Sequence, residues 1–496
     1  MNLPLVIGSR REFFWDNYII DTERTTAEFR QHKPVFEDVV FEFENLWEIN
    51  GGYITILKDG DMYRMWHGSH VIWFDKTYEP ASLVCYAESR DGINWVKPIL
   101  GQKAHEGRLD NNIILGAKEG KGDNFFVFKD EHGLPEERYK GVAASPVPVK
   151  GEQNHLWCWV SADGFNFKKR YLMGTHGAYD SMNTAFWDKE RETYVSYFRG
   201  YHSFDENGNF VERSKNGDDG AVRDIRVMYS KDFESWSEDK LLEYCDIDGN
   251  PLEEYPLYTN NVCPYYRGEH VFLGFPVRYV SNLLWTENYD RLCGKEERLK
   301  RIKRSTPRGG LALTDCILML SRDGEKFVRY DDAFMDGGPE NTHSWGYGNC
   351  YLNYGYVETK DKVTGADNRL SIYTAGGPFG DPRRVERYSL RIDGYVSMRA
   401  SYRGAKITTK PFVFSGDTLE ANFATSARGF IDIKIKDEEG HCISSGIVRG
   451  DKVDKVISFD GNISDFSGRT VVMEIDMKDA DIYSFRFFER EKEDTK

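Results

Sequence analysis

Short aromatic and β-branched runs, broken by acidic-glycine turns, cover most of this chain: GGYITILKDGDMYRMWHGS, LWCWVSADGFNF, TAFWDKERETYVSYFRG and CILMLSRDGEKFVRY. Runs of this texture between Asp-Gly or Asp-Lys-Glu signals predict strands joined by hairpins. Helical periodicity is confined to residues 286–304, TENYDRLCGKEERLKRIKR, whose charges suit a solvated helix or a long loop. Beyond Gly394 the alternation becomes regular, in GFIDIKIKDEEG, DKVISFDG, RTVVMEIDM and DIYSFRFFE, as expected of strands with one face buried.

One phrase recurs through the irregular part. SRDGINW begins at Ser89, SADGFNF at Ser161, SKDFESW at Ser230 and SRDGEKF at Ser321, at separations of 72, 69 and 91 residues. The last interval contains the charged segment, and without it the period is about 70. Such a period, with about four strands per unit, predicts β-propeller blades with long loops, because each four-stranded sheet buries both faces against its neighbours. Within the phrase the Asp side chain can bond nearby amides, the Gly can take positive φ and the aromatic can pack between blades. Asp91, Asp163, Asp232 and Asp323 are therefore read as turn residues and not as catalysts.

Counting units gives five blades, at residues 47–98, 111–170, 179–244, 253–334 and 344–390. The predicted fold is all-β, a five-bladed β-propeller over residues 1–394 followed by a β-sandwich over 395–490, with 491–496 as a disordered tail.

Charge narrows the partners. Sixty-six basic against 81 acidic residues leave a net charge of -15, which argues against nucleic acid and against an anionic membrane surface. No window reaches the roughly 18 apolar residues needed to cross a bilayer. The first residues lack a signal-peptide pattern. Eight cysteines stand singly, without metal-ligand spacing, so a reducing compartment is the simpler inference. The chain reads as cytoplasmic if complete, and as secreted or periplasmic if a signal peptide has been removed. Oligomeric state cannot be read.

The five units with Ser-x-Asp-Gly-x-x-aromatic turns and a trailing sandwich resemble the five-bladed propeller glycoside hydrolases of family 32 and family 43. FFWDNYIID at Phe13, YDSMNTAFWD at Tyr179, LYTNNVCPY at Leu257, RYSLRIDGYVSMRA at Arg387 and DIYSFRF at Asp481 resemble a bacterial family-32-like group. Nearest to the invertase-like acid motifs, this chain reads NLWEINGG, VRDIRV and LEYCDI. The resemblance implies a glycosidase acting on an oligosaccharide or polysaccharide, with carboxylates from separate blades meeting in the central funnel.

Glycoside cleavage needs one carboxylic acid as proton donor and a second carboxylate as base or nucleophile. Glu48, Asp123 and Asp180 fall in the blades that carry the acids of the resembled families and are the expected catalytic set. Asp180 leads, because Ser181 and Asn183 stand beside it to tune or orient a carboxylate. Glu254 and Glu340 are the acids that the fourth and fifth blades offer to the funnel. Asp224 sits beside Arg223 and Arg226, as a stabilising base or a plain ion pair, and Asp315 enters an apolar strand as a funnel residue or a capped turn. Arg199 and Arg278 end strands in adjacent blades and could grip an anionic sugar. Trp47 and Trp345 are expected to stack on sugar, with His343 near them. No cofactor is expected, and an axial calcium or sodium ion has no ligand pattern behind it. Two other readings stay open: a carbohydrate-binding propeller without turnover, and a phosphorolytic or eliminative enzyme on the same fold.

Overall fold

The computed structural model describes residues 3–48, 51–70, 82–116, 124–144, 155–175, 177–213, 221–280, 284–304, 307–341, 344–376 and 384–490. The chain is almost entirely β, a propeller followed by a sandwich sheet. The strands Phe126–Lys129, Tyr139–Ala144, Leu156–Ser161 and Lys168–Gly174 form one antiparallel meander. The next sheet runs Thr184–Asp188, Thr193–Phe204, Val222–Ser230 and Lys240–Leu241, and a third is built around Gly268–Gly274, Leu313–Ser321 and Lys326–Met335. A nine-stranded sheet joins Gly51–Asp59, Met62–His70 and Ser82–Ser89 to Leu352–Thr359, Arg369–Gly376 and Arg384–Arg391, through the single pair Tyr354 and Thr55. The charged segment forms the helices Glu287–Asp290 and Lys295–Arg304.

The recurrent phrase is an inter-sheet staple. In SADGFNF, the Asp163 carboxylate accepts from the Phe165 and Asn166 amides at 2.9 Å each, and Gly164 holds φ at +82°. Partial burial opposes ionisation, but the bonds from Asn166 and Phe165 outweigh it and hold the carboxyl at about 2. The Gly164 carbonyl then accepts from Trp66 Nε1 of the preceding sheet at 2.8 Å. Gly92 accepts from the Tyr373 hydroxyl at 2.7 Å, across the two halves of the nine-stranded sheet, and Gly324 accepts from the Tyr197 hydroxyl of the preceding sheet at 2.8 Å. In SKDFESW the glycine is replaced by Phe233, whose ring instead packs on Phe128 and Tyr171.

Both ends of the chain depart from their expected places. Val35–Glu42 pairs antiparallel with Arg384–Arg391, so an N-terminal strand completes the last sheet. Leu5–Gly8, Glu12–Phe13 and Glu28–Gln31 belong to the sandwich sheet, paired with Phe412–Phe414, Thr470–Phe488 and Val396–Ala400. The reading that propeller begins at residue 1 is therefore corrected for residues 5–31. The sheet's spine is the long pair Thr418–Asp437 and Thr470–Phe488, where alternation buries Ile431, Ile433 and Ile435 with Met473, Ile475 and Met477. The expected tail, residues 491–496, lies outside the described residues.

Candidate functional site

Alternation on one pair of strands sorts the polar residues at the loop end of the sheet. Tyr201 lies opposite Arg223, Gly200 opposite Asp224 and Arg199 opposite Ile225. With a period of two, Arg199, Tyr201 and Arg223 share one face, and His202, Asp224 and Arg226 share the other.

On the first face the two guanidiniums enter a cage of phenol rings. Arg199 lies 5.1 Å from the centroids of both Tyr201 and Tyr258. Arg223 lies 5.6, 5.3 and 4.3 Å from Tyr201, Tyr258 and Tyr279. Tyr258 continues to Tyr351 at 5.6 Å, and Tyr351 to Tyr53 at 6.4 Å, so rings from three sheets converge there. Asp180, with a side chain 64% exposed, contacts the Arg199 Nη2 group at this basin. Its loop is pinned from below. Asn124 Nδ2 donates to the Tyr179 and Ser181 carbonyls at 2.6 and 3.1 Å, and Asn183 Nδ2 donates to the same pair at 3.1 and 2.8 Å. Asn183 therefore fixes the backbone that presents Asp180, where the sequence suggested that it would orient the carboxylate directly.

The opposite face carries a charge relay. His202 Nδ1 lies 2.7 Å from Asp224 Oδ2, and His202 Nε2 lies 2.9 Å from Glu254 Oε2. Burial disfavours the imidazolium, but hydrogen bonds to the two carboxylates outweigh it and raise the His202 pKa. Asp224 also accepts from Arg226 Nε at 2.9 Å, which makes it a buried ion-pair member. A Cβ on Gly200 would collide with both Arg226 Nε and Asp224 Oδ1, so the pair needs glycine there.

Other candidates are engaged elsewhere. Glu48 is fully buried and accepts from Lys97 Nζ at 2.6 Å, Asn45 Nδ2 at 2.9 Å and Asn112 Nδ2 at 3.0 Å. Three donors and enclosure in the first sheet make it a structural anion, which removes the physical basis for placing it in the funnel. Trp47 donates to Asn112 Oδ1 at 2.8 Å in the same network. Arg278 grips Asp315 through Nε and Nη2 at 2.9 and 2.5 Å, so each neutralises the other. Glu340 is exposed and accepts from the Cys293 amide at 3.3 Å. Trp345 donates to the Gly338 carbonyl at 2.7 Å and lies on Gly337, a wedge within its own loop. Asp123 and His343 lie outside the described residues.

Arg223, His202 and the tyrosine cage were missed in the sequence. The available signal was alternation in VRDIRV and FRGYH, which puts Arg223 and Asp224 on opposite faces and Arg199 with Tyr201 on one. A cavity of about 10 Å³ is lined by Asn261, Leu352, Asn353 and Tyr356, among others, with room for about one water. Among the described residues, the cluster spaced to hold a metal is Asp437, Glu439 and His441 in the sandwich, where Arg469 already pairs with both carboxylates.

No protein-family model matches the chain. Two uncharacterized proteins of Mycobacterium tuberculosis, from strains H37Rv and CDC 1551, are 26% and 44% identical over 146 residues, 29% of this chain. The match spans 42% of the length of those relatives. A Penicillium chrysogenum alpha-L-arabinanase complexed with arabinobiose overlays with a TM-score of 0.39 and 10% identity, over 73% of this chain and 99% of that one. A family 43 arabinoxylan arabinofuranohydrolase from Bacillus subtilis overlays with a TM-score of 0.36 and 11% identity, over 92% and 99%. An N-acetylgalactosamine deacetylase from F. plautii overlays with a TM-score of 0.41 and 11% identity, over 72% and 94%. Overlap at these scores carries no argument about substrate, and the fold stands on the strand pairings.

Proposed function

We propose that the chain is a carbohydrate-active, five-bladed propeller of the glycoside-hydrolase type, exo-acting on the terminal sugar of an oligosaccharide or polysaccharide at the Asp180 basin. The nine-stranded sheet is counted as two blades meeting at Tyr354 and Thr55. The propeller ends near residue 394, and the sandwich takes residues 395–490 together with the N-terminal strands.

One observation carries the reading: Asn124 bonds the carbonyls on both sides of Asp180, so the start of one sheet holds the loop of the next that presents an exposed carboxyl group. Asp123, the chain neighbour of Asn124, is the second carboxylate in this reading. The phenol rings offer flat faces for sugar CH groups, and Asp180 protonates the leaving oxygen or activates water across the bond.

A screen of aryl glycosides and oligosaccharides against the wild type, Asp180→Asn and Asp123→Asn tests this. The expected result is product from the wild type and a loss of at least about a hundredfold in each variant. Unchanged turnover in Asp180→Asn overturns the assignment. Binding without turnover is the second reading, favoured by the acids already committed to cations, Glu48 to Lys97, Asp224 to Arg226 and Asp315 to Arg278. Sugar binding with no product from any class would select it.

A further inference from the structure

Among the described residues, the basin brings two buried guanidiniums to one carboxylate, Asp180. Arg199 and Arg223 are 2% and 4% exposed, and the Nε of each has no hydrogen-bond partner. Asp180 contacts Arg199, whereas Arg223 makes no ion pair among the described residues. Four other arginines are paired with acids: Arg226 is held by Asp224, Glu212 and Asp239, Arg278 by Asp315, Arg329 by Asp331 and Arg387 by Asp38. The rings of Tyr201, Tyr258 and Tyr279 stabilise a cation through their faces but supply no net negative charge. A desolvated guanidinium without an anion is costly to folding, and such groups are retained where binding uses them.

Both guanidiniums lie within 5.6 Å of the Tyr201 and Tyr258 ring centroids, so the two stand at the same pair of rings. The chemistry they offer there is recognition of an oxyanion by planar N–H forks. A carboxylate already fits beside one of them, since Asp180 touches Arg199. We propose that Arg199 and Arg223 form a carboxylate subsite, and that the sugar bound beside Asp180 is a uronic acid residue. The proposal rests on the reading of the basin as a saccharide site. In a chain of net charge -15, these two guanidiniums attract an acidic sugar to the basin.

Isothermal titration of the full chain with glucuronate, galacturonate, glucose, galactose, orthophosphate and sulfate, at low and high salt, provides the test. Uronates are expected to bind at least about tenfold tighter than the neutral sugars, with the difference shrinking in salt. Arg223→Met should erase most of that difference, and Arg223→Lys should keep part of it. Arg223→Met should also leave the unliganded melting temperature unchanged or raise it, because an unpaired buried charge is removed. Equal affinity for acidic and neutral sugars, or a lower melting temperature in Arg223→Met with the uronate preference intact, overturns the proposal. Orthophosphate or sulfate binding without a uronate preference overturns the assignment to the sugar and gives the forks to a free inorganic anion. Should the variant not fold, the wild-type comparison of uronate with neutral sugar decides alone. Turnover of neutral glycosides with no uronate preference removes this subsite and leaves hydrolysis standing. Uronate preference without turnover does the reverse.

Discussion

Lys97 donates to the fully buried carboxylate of Glu48 at 2.6 Å, and that pair anchors the segment before the first inner strand to the outer edge of its sheet. A glutamine here keeps one acceptor oxygen, sets an NH2 group against the donors of the other and leaves the Lys97 ammonium without a counter-charge. Glu48→Gln is expected to cost about 3 kcal/mol of stability in urea unfolding. Turnover per folded molecule should stay within about twofold of the wild type, which separates a structural acid from a catalytic one.

His202 couples stability to pH. Its pKa is raised, since hydrogen bonds to Asp224 and Glu254 outweigh the burial that opposes protonation. A raised histidine pKa contributes stability that is fully present below the unfolded value of about 6.5 and is lost as pH rises through the folded value. The stability difference between wild type and His202→Asn should therefore be larger at pH 6 than at pH 9. A difference that grows with pH would show that the neutral imidazole is the stabilised form.

The turn carboxylates should matter for folding alone. Asp163 accepts from two amides, from Asn166 Nδ2 and from the Ser161 hydroxyl. Asp163→Ala is expected to lower stability by about 1–2 kcal/mol, with unchanged kinetics. Because the folded pKa is depressed, that contribution is present above the unfolded value of about 3.9 and disappears as pH falls towards about 2.

Asp393 ties propeller to sandwich. Its buried carboxylate accepts from the Tyr265 hydroxyl at 2.7 Å and lies 3.1 Å from Arg267 Nε, both on the propeller. On the sandwich side it accepts from the Ser484 hydroxyl at 2.6 Å and from Asn422 Nδ2 at 3.1 Å. Asp393→Ala strands these donors in a site that excludes water. Calorimetry of the variant should show unfolding at lower temperature, separated into two transitions, where the wild type gives one.

Legibility followed the range of the interaction. The SxDG turns were readable because an Asx turn is made within five residues, Asp91 to Asn94 for example, and needs no distant partner. The same holds for the sandwich spine, where alternate Ile431, Ile433 and Ile435 announce one buried face. The candidate site was less readable. Asp180 and Arg199 were named from their positions at strand ends, and the structure puts them in contact. Glu48, Asp315 and Arg278 were named by the same logic and proved to be neutralised by partners 49 and 37 residues away.

What this sequence determined by itself was the strand-rich texture, the recurrent Ser-x-Asp turns and the alternation of the C-terminal strands, because backbone sterics and period-two alternation act between near neighbours. Tertiary structure alone decided that residues 5–31 cross to the C-terminal sheet and that Val35–Glu42 completes the last propeller sheet. It also decided which charges are spent on each other. Glu48 and Asp180 both lie beside a cation, but Glu48 is fully buried under three donors whereas Asp180 is 64% exposed, so only the second is free to meet a ligand. That burial is set by the packing of whole sheets, and Arg223 in its ring cage became visible only once two neighbouring sheets and the Tyr258 segment had been brought together.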